Sequence, residues 1–74
     1  MEFVVVHYQD ERDVYINGQM TGKTNETLVV GEGHQKFDLG LPKDYEPLSQ
    51  EVLVENTTEI TPLEIKFTFA GDPV

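Results

Sequence analysis

The chain has 74 residues, enough for one domain with a single core and not for two. It carries 14 Asp and Glu against 5 Lys and Arg, for a formal net charge of −9, which argues against nucleic-acid phosphate or an anionic membrane surface as its partner. No apolar run approaches the ~20 residues of a membrane-spanning helix, and with no cysteine there is neither a disulfide staple nor thiolate chemistry.

Taken in chain order, the sequence reads as strands and turns. Phe3-Val4-Val5-Val6-His7-Tyr8 is β-branched and aromatic, apolar on both sides, and suits a strand in the middle of a sheet or between layers. Asp10-Glu11-Arg12-Asp13 interrupts it as a charged, solvated turn. Val14-Tyr15-Ile16 and Gln19-Met20-Thr21 flank Asn17-Gly18, the strongest short-range signal of a hairpin, because a type I′ turn needs φ > 0 at both central residues. Gly22 is expected to end the return strand.

Thr27-Leu28-Val29-Val30 forms the next strand, closed by a turn at Gly31-Glu32-Gly33. Lys36 to Leu41 then alternates, with Phe37, Leu39 and Leu41 on one face. Pro42 to Pro47 reads as a loop, since prolines cannot donate to a central ladder. Gln50 to Glu55 is a further strand and Asn56-Thr57-Thr58 a polar turn. In the closing strand Leu63, Ile65, Phe67 and Phe69 alternate with Glu64, Lys66 and Thr68. Ala70 to Val74 reads as a frayed end.

Six or seven short strands with turn signals about every ten residues predict an all-β fold, a small antiparallel β-sandwich or barrel. It is expected to occupy residues 1–74 as a single domain, with its body over about 3–69. Val5, Val14, Ile16, Leu28, Phe37, Leu39, Val52, Val54, Ile65 and Phe67 are the expected core. No window has helical spacing with caps.

Motifs for chemistry are sparse. His7 and His34, with a carboxylate such as Asp38, could build a zinc site only if the strands bring them together. Asp10, Glu11 and Asp13 lack the ligand spacing of a calcium loop, and Arg12 sits among them. Ser49 is the sole serine and has no Gly-rich elbow. Gly31-Glu32-Gly33 precedes no helix that could cradle phosphate. No carboxylate pair stands out for glycoside chemistry, no residue pattern requires a cofactor, and the sequons at Asn25 and Asn56 fall in Asn/Thr-rich turns. The expectation is a protein that is not an enzyme.

The ordered series Val14-Tyr15-Ile16-Asn17-Gly18, Gly22-Lys23-Thr24, Leu28, Gly33-His34, Tyr45-Glu46-Pro47 and Leu63 to Phe67 resembles the PEGA domain family. Asn25 stands where that family usually has the proline of a Thr-Pro pair, and Asp44 where it has the glycine before the tyrosine. The naming tetrapeptide is absent, with Gly31-Glu32-Gly33-His34 near its place. The resemblance implies a small β-sandwich serving as a binding or spacer module, usually within larger envelope or surface proteins, and no catalytic residues.

The expected function is therefore non-enzymatic binding to a protein partner or neighbouring domain, with sheet edges free to accept a strand or a second copy of the chain. Leu63–Phe69 and Phe3–Val6 are the expected edge or self-pairing segments. Tyr8, Tyr15 and Tyr45, if exposed, are candidate partner contacts and would equally serve a carbohydrate- or surface-polymer-binding module. Tyr45 alternatively buries its ring at the sandwich edge with its hydroxyl on backbone. Asn17, Gly18, Gly31 and Gly33 are expected to shape turns. A third reading is a small acidic inhibitor covering a basic surface, which requires carboxylates gathered on one face. As written, the chain shows no export signal and would stay cytoplasmic, whereas an excised piece of a larger family member would belong to the cell envelope or exterior.

Overall fold

The apolar segment Glu2–His7 forms β1 and lies centrally in a three-stranded sheet, between β4 (Thr27–Val30) and β8 (Leu63–Lys66), in the computed structural model, which describes residues 1–71. A second sheet of four strands has the order β3-β2-β5-β7, with β2 at Asp13–Ile16, β3 at Gln19–Lys23, β5 at Gly33–Asp38 and β7 at Gln50–Val54. A two-residue ribbon pairs β6 (Tyr45–Glu46) with β9 (Thr68–Phe69). All described elements are strands, and they form a small β-sandwich.

Alternation sorts the side chains. Val4 and Val6 of β1, Leu28 and Val30 of β4, and Ile65 of β8 face inward, toward Val14 and Ile16 of β2, Phe37 of β5 and Val54 of β7. Leu39, Phe67, Tyr8 and Tyr45 close one end of this interior, and Val52 and Leu63 pack at its margin. Burying each large side chain contributes about 1.5–3 kcal/mol, so this cluster is what a chain without disulfides folds around.

Several expectations need correction. Val5 points outward, because the inward parity of β1 is Val4-Val6-Tyr8. A segment apolar on both sides carries no parity signal, which is why the sequence could not choose. Central placement of β1 also removes Phe3–Val6 as an edge, whereas β8 does lie at one. The pairing of β1 with β8 is parallel, Val4 opposite Leu63 and Val6 opposite Ile65, in a fold whose other ladders are antiparallel. This follows from the 55–62 connection, which carries the chain from β7 in one sheet to the end of the other sheet where β1 begins.

Nine strands among the described residues replace the expected six or seven. The final strand breaks at Phe67, whose N–H donates to the His7 carbonyl (3.0 Å) while Thr68–Phe69 turns away to pair with Tyr45–Glu46, in the region expected to be loop. Phe69 is consequently 44% exposed and does not share the inward face of Ile65 and Phe67. Ala70, expected to fray, donates its N–H to the Asp44 carbonyl (2.9 Å); Asp72, Pro73 and Val74 of that expected end lie outside the described residues. Gly22 does not end β3, which runs on through a bulge to Lys23, and Leu28 occupies the space a Cβ there would fill.

The turn residues divide. Asn17 (φ 54°) and Gly18 (φ 84°) form the hairpin turn as read, and Asn17 extends it by donating its N–H to the Lys36 carbonyl. Gly33 has φ 116°, but Gly31 is not in the left-handed region and acts through its carbonyl, which accepts from Gln35 Nε2 (3.0 Å).

Candidate functional site

At the end of the sandwich where β1 finishes, the segment 8–13 meets the loop 39–47. Arg12, expected in a solvated turn, instead turns inward and leaves its side chain only 16% exposed. Its guanidinium donates to Asp44 Oδ1 (2.8 Å), to the Pro42 carbonyl (2.8 Å) and to the Leu39 carbonyl (3.3 Å). The same cation lies 5.7 Å from the Tyr8 ring centroid and 5.4 Å from that of Tyr45. Tyr45 stands edge-on to Tyr8 and to Phe67, with centroids 6.5 and 5.6 Å apart. Its hydroxyl donates to the Gly40 carbonyl (2.8 Å) and accepts from the Leu39 N–H (3.2 Å), which is the structural role anticipated for it.

A planar fork with five donors suits this place, because several carbonyls freed by the irregular loop need partners while a carboxylate balances the charge. Burial pushes both phenols above their ordinary values; the Asp44 charge adds to the effect at Tyr8, and hydrogen bonding at the Leu39 backbone partly offsets it at Tyr45. The knot is a structural device.

The backbone beside it is equally tied. Thr24 Oγ1 donates to the Asp10 carbonyl and accepts from the Arg12 N–H, while its own N–H reaches the Arg12 carbonyl. Asn25, at φ 63°, donates its N–H to the Val6 carbonyl and exchanges side-chain amide bonds with the Tyr8 backbone. A proline here could supply neither the N–H nor the positive φ, so the departure of Asn25 from the Thr-Pro pattern has a physical reason.

Tyr8 and Tyr45 are thus buried, at 7% and 1% exposure, and neither presents a ring to a partner. Tyr15 is half-buried, its ring lying over Gly40. Of the three candidate platforms, Tyr8 and Tyr45 are withdrawn from the surface, because they pack against each other and Arg12, while Tyr15 stays partly exposed. His7 sits on the outer face of the three-stranded sheet and bonds Glu64 (2.9 Å), whereas His34 and Asp38 belong to β5 in the other sheet. Among the described residues no three His, Asp or Glu side chains are grouped to hold a metal. The Asp10–Asp13 cluster is dispersed: Asp13 pairs with Lys23, raising the Lys23 ammonium above its usual range, and Arg12 goes to Asp44.

A surface depression lies between the β6/β9 ribbon and the end of β8. It is an open cleft of about 740 Å³, lined among others by Lys43, Glu46, Pro47, Leu48, Lys66 and Thr68. Leu48 is 56% exposed and leads into β7, a free edge of the four-stranded sheet. Gln50, the first residue of β7, donates from Nε2 to the Lys66 carbonyl (2.6 Å), so the β7 and β8 edges approach each other beside the cleft. Lys43 and Lys66 are two of only five cationic residues, and Arg12 and Lys23 are already held by carboxylates. A chain of net charge −9 thus gathers an exposed leucine, a proline and two ammonium groups in one place. Sequence reasoning missed this cleft because it treated 42–47 as loop and Lys66 as part of an unbroken strand. The one legible signal was the contrast of Lys43 and Lys66 with an otherwise acidic background.

Among known protein families, the model described as PEGA domain matches residues 4–68 of the chain. Neither the curated proteins nor the solved structures contain a match.

Proposed function

The chain belongs to the PEGA domain family, and we propose that it acts as a non-enzymatic module that docks another protein or a neighbouring domain at the Lys43–Leu48 cleft. The observation that carries this reading is the open cleft itself. Its lining sets Pro47 and the exposed Leu48 beside two lysines and one carboxylate, Glu46, a combination that suits an extended segment bearing an apolar anchor and a carboxylate. Small-molecule chemistry generally uses a deeper, more enclosed site than an open depression between a two-residue ribbon and a strand end.

The other readings have less support. Burial of Tyr8 and Tyr45 removes two of the three platforms on which a sugar would stack. Carboxylates occur on both outer faces, with Glu64 on one sheet and Asp38 and Glu51 on the other, and at both ends, at Glu46 and Glu59. That distribution does not suit a one-sided cover for a basic target.

The test is affinity capture by the full chain with the Leu48→Asp variant beside it. Leu48 is exposed and outside the core, so the variant keeps its fold and melting temperature. We expect a discrete polypeptide to be retained by the natural chain and lost by the variant, about tenfold or more in recovery, as for an apolar anchor. Equal recovery by both chains would remove the cleft from the reading.

A further inference from the structure

We propose that two copies of this chain pair through β8 in an antiparallel, two-fold arrangement centred on Ile65, joining their three-stranded sheets into one of six strands. This goes beyond docking at the cleft and uses the edge of the sheet instead.

The first observation is which backbone groups are free. Among the described residues β8 pairs in parallel with β1 alone, and its other side is a sheet edge. Phe67 directs its N–H to the His7 carbonyl, so the odd residues of this segment face β1. Glu64 and Lys66 therefore present their N–H and C=O groups to the open side. The Lys66 carbonyl confirms the parity, since it accepts from Gln50 Nε2 across that side and keeps a second lone pair.

The second observation is that the edge is self-complementary. In an antiparallel ladder two residues that both point their backbone groups outward exchange a pair of hydrogen bonds, at about 5.5 Å between Cα atoms. Centring the two-fold axis on Ile65 places Glu64 opposite Lys66 of the second copy, and Lys66 opposite its Glu64. The outward backbone groups then meet in two such pairs, the Gln50 amide sharing or yielding the Lys66 carbonyl, and each pair sets a carboxylate against an ammonium on the exposed outer face. Glu64 and Lys66 are both exposed, and the Glu64 bond to His7 uses only Oε1. Ile65 stays in the core of its own copy, 3% exposed, so pairing requires no side chain to leave the interior. Shifting the register by two residues in either direction would leave a charged residue of this strand without its counterpart.

Four residues bury far less than a standard interface, so association of this kind is weak. Sedimentation equilibrium of the purified full chain, from about 10 μM to about 1 mM, covers the range expected of such a contact. We expect a concentration-dependent dimer. Lys66→Glu should weaken it about tenfold, by turning two attractions into two repulsions. The double variant E64K/K66E should restore it, and so should an equimolar mixture of E64K with K66E. Amide exchange of the natural chain supplies a measurement that needs no variant: protection at Glu64 and Lys66 should rise with protein concentration while that at Ile65 does not change. A monomer at all concentrations, a dimer indifferent to K66E, or failure of the charge swap to restore pairing would each overturn the proposal. Lys66 also lines the cleft, so capture of a partner is read separately, through Leu48→Asp, and self-association through sedimentation of the purified chain alone.

Discussion

Arg12 illustrates how one side chain can decide the conformation of a loop it is not part of. Three of its contacts go to residues 39, 42 and 44, and its backbone is anchored by Thr24. A lysine could keep the charge near Asp44 but could not fork to two carbonyls while holding a planar cation near both phenol rings. We expect Arg12→Lys to cost about 1–2 kcal/mol, because it leaves the part-buried Leu39 carbonyl without its donor. Equilibrium denaturation in urea should show this as a lower midpoint at unchanged slope. In sequence, Arg12 is embedded between acidic residues and reads as solvated. Only the tertiary fold, which brings the 39–44 loop over it, makes it a buried donor. Tyr45 was legible at this scale, because a lone aromatic between prolines has few other uses. Tyr8 was not, since it continues a run that is apolar on both faces.

At the scale of the element, alternation placed most of the inward residues, but Leu41 (80% exposed) and Phe69 (44% exposed) leave the faces that it assigned to them, where the regular strands end. Phe37 and Leu39, Val14 and Ile16, and Ile65 and Phe67 all face the interior as their spacing requires. Val4 and Val6 were missed in favour of Val5, a one-residue error that inverts a strand. The break at Phe67 and the β6/β9 ribbon were invisible because two-residue pairings leave no periodic trace in sequence. The glycine that matters most for this assembly is Gly40, at φ 70°, where an added Cβ would come within 2.5 Å of Tyr15 Cε1. Both the left-handed backbone and the ring oppose a side chain there. Gly40→Ala is expected to destabilise the protein by about 1–3 kcal/mol and to displace the Tyr15 ring, which near-ultraviolet dichroism will register. A neutral effect would mean that the 39–45 loop is not held against β2.

For the whole molecule, the two sheets and their shared interior account for the fold, and the distribution of charge directs attention to its contacts. Carboxylates are spread over the body, whereas two of the five cations meet at one cleft beside the free edges of β7 and β8. That coincidence cannot be read from composition, which reports only the sum of −9, and it emerges once β9 folds back on β6. The most direct measurement of the claim that this cleft is the docking surface is site-specific photo-crosslinking in cells that naturally produce the chain, with the reactive residue placed at Leu48 or, for comparison, at His34 on exposed β5. The account predicts a discrete crosslinked product from position 48 and none from position 34. Products of equal yield from both positions, or from position 34 alone, would contradict it.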